Sequence, residues 1–173
     1  MKKNFSNENI FIKNIPKAEN VTFSGIEKKF LSIMIFNRIL LFVASLIACL
    51  LAIKFIELLE QSSLLIYISV IILWVIIFSF TGISFNRKKY AFRDHDLMYS
   101  YGVIFTSTVL IPYNRIQHLA IHQGFLSRIF DLASLQFYTA GGSYTDISIK
   151  GLSKEDAEKW KDFVSSKIEK LKR

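Results

Sequence analysis

The chain has one cysteine in 173 residues. Cys49 therefore cannot close an intramolecular disulfide, and a metal site of the CxxC type is excluded. It sits in an apolar run, where a thiol serves as a small packing residue. Acids are also scarce, 14 Asp and Glu against 22 Lys and Arg, for a formal net charge of +8. Yet 51% of the residues are hydrophobic and the mean hydropathy is +0.33. A chain this basic and this apolar must segregate the two properties along its length. Residues 1–38 carry a net +4, residues 54–60 a net −1 and residues 87–173 a net +5.

The next absence is charge inside the apolar runs. No Asp, Glu, Lys, Arg or His occurs between Ile39 and Ile53 or between Leu64 and Phe85. Ion-coupled transport calls for ionisable groups at membrane depth, and two helices are too few to enclose a path, so a pump or transporter is not expected. The segment Leu64–Phe85 extends roughly 33 Å as a helix, enough to cross a hydrocarbon core. A fully apolar helix of this length in a soluble protein would need protein on every face, and little chain remains to supply it. The first run is shorter, but Arg38 and Lys54 can extend their charges to the interface along apolar stems, so a span of about 20 residues is available. The polar stretch from Glu57 to Ser63 joins the two as a helical hairpin. The expected division is a polar segment over 1–29, a two-helix membrane hairpin over 30–86 with spans about 36–56 and 64–85, and a globular domain over 87–173.

Lys28, Lys29 and Arg38 precede the first span and Arg87, Lys88 and Lys89 follow the second, whereas the connection holds one Lys against Glu57 and Glu60. By the positive-inside rule both termini are cytoplasmic, which predicts a multi-pass membrane protein. Arg38, Arg87, Lys88 and Lys89 are candidate headgroup contacts. Ala44, Ser45, Ala48 and Cys49 recur at three- and four-residue spacings, a face where a helix can approach closely. The opening Met-Lys-Lys is followed by polar residues, so a cleaved signal peptide is not expected. Pro16 interrupts any helix before it, and Ser24-x-x-Glu27 has the capping-box pattern, so the first helix is predicted to begin near Gly25.

After Lys89 the pattern changes to short β-branched and aromatic segments at Tyr90–Phe92, Leu97–Phe105 and Thr106–Ile111. Arg115–His122 alternates, with Ile116 and Ala120 on one side and Leu119 and Ile121 on the other. Leu135–Thr139 and Asp146–Lys150 alternate more plainly, and Gly141-Gly142-Ser143 between them signals a tight hairpin. Ser153 opens a C-terminal helix whose apolar stripe is Ala157, Trp160, Val164, Ile168 and Leu171, with Lys159, Lys161, Lys167, Lys170 and Lys172 outward.

Candidate chemistry is thin. His118 and His122 have the spacing of two zinc ligands, but no Cys pair or acid cluster supplies a third, and ordinary surface or partly buried histidines are the expected reading. Arg93-Asp94-His95-Asp96 could host acid–base chemistry, and a plain Asp-rich turn accounts for the same letters. Thr139-Ala-Gly-Gly-Ser143 lacks the lysine and helix start of a P-loop. No nucleophile elbow is present, and no stacking platform or groove-reading helix points to nucleic acid. Neither an enzyme nor a cofactor is expected.

Ile111-Pro-Tyr-Asn-Arg-Ile-Gln-His118, Gln123-Gly-Phe-Leu-Ser-Arg-Ile-Phe-Asp-Leu-Ala133 and Leu135-Gln-Phe-Tyr-Thr-Ala-Gly-Gly142 together resemble the bacterial PH-domain family of YdbS-like membrane proteins, over roughly 87–170. The resemblance implies a membrane α-helical hairpin plus an α+β PH-like domain, a bent antiparallel sheet or partial barrel with a C-terminal helix. It places the turn Arg93–Asp96, with its two acids, where eukaryotic PH domains bring basic residues to inositol lipids. Two functions follow. The first is a noncatalytic scaffold binding another membrane protein with related PH-like domains, or a second copy. The alternative is a module that binds anionic membrane lipids and senses or maintains the envelope. Arg115, Gln117, Gln123 and Arg128 are the candidate partner-binding or loop-organising residues.

Overall fold

The computed structural model describes residues 21–56, 60–139 and 147–172. In chain order the elements are β1 (Ser24–Gly25), α1 (Lys29–Phe55), α2 (Ser63–Arg87), β2 (Lys89–Phe92), β3 (Asp96–Tyr101), β4 (Ser107–Pro112), a 3-10 turn (Tyr113–Arg115), β5 (Ile116–His122), α3 (Phe125–Ile129), β6 (Leu132–Thr139), β7 (Ile147–Ser153) and α4 (Lys154–Lys172). Strands β1 to β4 form one antiparallel sheet and β5 to β7 a second, both in sequence order. The sheets stay separate rather than closing into a barrel, and α4 packs mainly on the second. This is the predicted sequence of apolar helices, antiparallel strands and C-terminal helix. The glycine turn 141–143 and part of the polar connection between the helices lie outside the described residues.

The 27 residues of α1 and 25 of α2 correspond to lengths of about 40 and 37 Å. The basic residues Lys54 and Arg87 occupy their last turns, where a cation suits the helix dipole. Trp74, 8% exposed, fixes the hairpin's register: its Nε1–H donates to Ser45 Oγ at 2.9 Å, and Ser45 Oγ–H donates onward to the Phe42 carbonyl at 2.7 Å. The Trp74 ring meets Phe42 edge-on at 5.4 Å and Phe78 at 5.9 Å. An indole N–H in hydrocarbon has no water to bond, so its pairing across the hairpin matters. The small residues of α1 are divided, with Ser45 toward α2, Cys49 half-buried, and Ala44 and Ala48 exposed.

The start of α1 differs from the expected capped helix. Ser24 and Gly25 form β1, paired with Tyr90 and Lys89. The helix begins four residues later, at Lys29, with no side-chain cap. Its entry is instead held by the sheet, because the Glu27 N–H donates to the Gly151 carbonyl of β7 at 2.8 Å. Ile26, Phe30 and Ile33 are buried in the same cluster as Leu97, Leu135, Phe137, Ile149 and Leu152. The first turns of α1 are therefore core elements of the globular fold, and the helix runs on from that core. The boundary drawn at residue 30 divides the chain but not its core.

Two readings of strand and helix faces also change. A bulge at Gln117 inserts one residue between the Ile116–Thr139 and His118–Tyr138 pairs. Simple alternation places Ile116 opposite Leu119 and Ile121, whereas the extra residue brings all three against the core. On α4, Ser153 Oγ accepts the Asp156 N–H at 3.0 Å, the predicted cap. Ala157 and Val164 are fully buried, but Leu171 is 55% exposed because it lies beyond the sheet. Phe163 joins the stripe in its place, meeting Tyr113 at 6.3 Å and Trp160 at 5.8 Å, and Trp160 stacks on Phe92 at 4.1 Å.

Candidate functional site

Strand direction defines two ends of the first sheet. Strand β2 leaves α2 at Lys89 and runs away from the helices, β3 returns, and β4 runs away again. The β2–β3 turn is thus at the far end, and the β3–β4 turn is at the helix end. At the far end Arg93 donates to both Asp96 carboxylate oxygens, at 2.5 and 2.6 Å, and Lys167 of α4 reaches Asp94 at 3.3 Å. Tyr113, fully buried, donates its O–H to the Arg93 carbonyl at 2.6 Å. Every charged side chain of this turn except the exposed His95 is tied to the fold, so Arg93–Asp96 is a structural turn rather than an acid–base site. Because β1 pairs with β2, the connection between them is the whole of 26–88 and contains the two apolar helices.

At the helix end, where the two sheets remain apart, a cleft of about 260 Å³ is lined by Lys88, Tyr99 and Tyr101 on one side and Ile147, Ser148 and Lys150 on the other. Tyr99 and Tyr101 share a face of β3 by the two-residue period, and their rings stack at 5.2 Å. Lys88 follows the last turn of α2, and its ammonium lies 5.5 Å from the centre of the Phe30 ring. Burial first, and the neighbouring charge of Lys150 second, push Lys88 below the usual lysine range. Burial and the adjacent Tyr101 push Tyr99 up to about 12, so it is a neutral phenol across the physiological range. Among the described residues no carboxylate pairs with Lys88 or Lys150. With Lys88 half-buried and Lys150 exposed at the rim, two cations with no acid beside them among the described residues make an arrangement suited to an anion.

Of the predicted headgroup residues, only Lys88 enters this cleft. Arg87 is exposed and donates to Thr106 Oγ1 at 3.1 Å; Lys89 is exposed on β2; Arg38 borders a separate hollow between the helices and Val103. Gln123 donates to the Leu132 carbonyl at 2.9 Å, spanning α3. Gln117 is the bulge residue, and Arg115 and Arg128 are exposed. His118 stacks on Tyr138 at 4.1 Å, and no group of three metal-ligating side chains occurs among the described residues. Lys150, Tyr99, Tyr101 and Ser148 escape a sequence reading. Their signal is faint: outward parity in Ser148-x-Lys150 and a Tyr-x-Tyr repeat, on strands whose adjacency the sequence does not state.

The family model described as bacterial PH domain matches residues 35–168. The chain belongs to that family. The matched region starts inside α1, so the family pattern includes most of the hairpin as well as the sheets. The chain is 28% identical over 91 residues to the UPF0699 transmembrane protein YdbS of Bacillus subtilis (strain 168), covering 53% of this chain and 55% of that protein. It is 30% identical over 101 residues to the UPF0699 transmembrane protein YdbT of the same organism, covering 58% of this chain and 20% of that protein. The matches thus span about half the length of the first relative and a fifth of the second. No solved structure matches the chain significantly. With two helices of membrane-spanning length and transmembrane relatives, this is a membrane protein carrying a bacterial PH domain.

Proposed function

We propose that the protein is a noncatalytic module of the bacterial cell membrane whose PH-like domain binds the phosphate of an anionic lipid headgroup. Both termini are cytoplasmic in this reading, since Lys28, Lys29 and Arg38 precede the hairpin and Arg87, Lys88 and Lys89 follow it. The observation that carries it is the pair Lys88 and Lys150, without an acid partner among the described residues, in a tyrosine-lined cleft at the helix end. A cytoplasmic leaflet rich in anionic lipid brings the complementary charge to that end. Binding would raise the Lys88 pKa back toward its ordinary range by placing a negative charge beside it.

The test is titration of the full chain in mild detergent with dihexanoyl-phosphatidylglycerol and dihexanoyl-phosphatidylcholine. Saturable binding of the first is expected. At about 1 kcal/mol per lysine, Lys88→Gln with Lys150→Gln should weaken it roughly 30-fold. Equal binding of both lipids, or no change in the double variant, would sink the proposal.

The sequence alone favours a protein partner over lipid; the cleft supports the lipid reading. One observation keeps the scaffold reading: Phe125 and Ile129 of α3, flanking Arg128, are 81% and 63% exposed. Another PH-domain membrane protein, or a second copy, could cover them. Phe125→Asp should then release a copurifying partner while leaving lipid titration unchanged.

A further inference from the structure

The two ends of the first sheet differ in kind. The far-end turn is Arg93-Asp94-His95-Asp96, whereas no charged residue occurs from Leu97 to Asn114. The β3–β4 turn in that stretch closes on Gly102, at φ +115°, where an added Cβ would stand 1.9 Å from the Phe105 carbonyl oxygen. Only glycine fits so tight a closure, and it throws the following residues outward. Ile104 is 78% exposed and Phe105 85%.

These bare side chains stand beside the hairpin. Val103 borders a hollow of about 390 Å³ with Arg38 of α1 and Phe80 and Ser84 of α2. Arg87 anchors the turn's other side at Thr106, at 3.1 Å. The turn therefore reaches the level of Arg38, where the first uncharged run begins, and adjoins helix surface that faces lipid. Large apolar side chains left bare in a contiguous patch mark an interaction surface.

We propose that Val103–Phe105 is a third membrane contact, an apolar wedge seated at the headgroup–acyl boundary of the leaflet that the hairpin enters. With the two helices it fixes the tilt of the domain and keeps its helix end against the bilayer. The wedge stands apart from the lysine cleft: neither Ile104 nor Phe105 lines it, so either can fail alone.

The experiment places a nitroxide at Ile104→Cys, Phe105→Cys or Asn114→Cys in the Cys49→Ser chain, reconstituted in phosphatidylcholine–phosphatidylglycerol nanodiscs. All three positions are exposed, and Asn114 is at the far end. Collision rates with oxygen and with nickel-EDDA are read by power saturation. At 104 and 105 oxygen should exceed the nickel chelate several-fold, with the reverse at 114. Nickel access at 104 and 105 matching that at 114 would overturn the proposal. So would exclusion of both reagents, which would mean that protein covers the turn. The two wedge positions are read separately, so a label that disturbs one, seen by near-ultraviolet circular dichroism, leaves the other to decide.

Discussion

Gly151→Ala is the substitution that best probes how the hairpin is attached. Gly151 in β7 has φ +84°, and an added Cβ would lie 2.6 Å from Phe30 Cγ and 2.8 Å from Phe30 Cβ. Its carbonyl also receives the Glu27 N–H, just ahead of α1. Two costs follow: about 1–2 kcal/mol for holding an L-residue in the left-handed region, and about 1–3 kcal/mol for crowding a packed ring. Each kcal/mol lowers Tm by about 4–8 °C in a domain of this size, so the combined cost should lower it by roughly 8–40 °C. Phe30→Gly removes the whole obstacle, Cβ included, at its own cavity and helix cost, and in that background Gly151→Ala should retain only the backbone cost. The double-mutant cycle therefore predicts a coupling of about 1–3 kcal/mol. Thermal unfolding of the four full-length chains in mild detergent, followed by near-ultraviolet circular dichroism, measures it. A coupling of zero, or a Gly151→Ala chain that melts with the parent, would refute the seating of α1 on β7 and leave the hairpin hinged to the domain.

Three further outcomes are expected. Burial, helped by Asp96, pushes Tyr113 up to about 12, as burial and Tyr101 do for Tyr99. The stability tied to these neutral phenols is fully present below the unfolded pKa of about 10 and is lost as pH rises through about 12. Phenolate absorbance should lag in the folded chain, and Tyr113→Phe should reduce the alkaline loss; ionisation of both near pH 10 in a folded chain contradicts this. Ser45→Ala removes the acceptor of Trp74 and should cost the hairpin about 0.6 kcal/mol, at most about 1.7, in a steric-trapping measurement. A C-terminal fluorescent-protein fusion should glow and an alkaline phosphatase fusion stay inactive, the reverse pattern contradicting cytoplasmic termini.

The helices were legible because 22 uncharged apolar residues leave few alternatives, and α4 because Ser153 and a three-four stripe agree with each other. Local patterns failed where the answer depended on distant chain. Ser24-x-x-Glu27 has capping-box letters, but pairing with Tyr90, across the entire hairpin, turns them into a strand. One bulge residue, Gln117, was enough to invert a face, since strand periodicity carries no sign of an insertion. The β1–β2 connection is illegible for the same reason: it is 63 residues long and contains the two helices. The lysine cleft was the least legible feature, because Lys88 and Lys150 are 62 positions apart and meet only when the two sheets are placed.

Native mass spectrometry of the full chain released from mild detergent addresses the anionic headgroup in the Lys88–Lys150 cleft most directly. One retained phosphatidylglycerol-class lipid per chain is predicted in the parent, absent from the Lys88→Gln, Lys150→Gln chain and kept in Lys159→Gln, whose lysine pairs with Glu155 on the surface of α4. Equal retention of anionic and zwitterionic lipid, or an adduct that survives the double substitution, would contradict it.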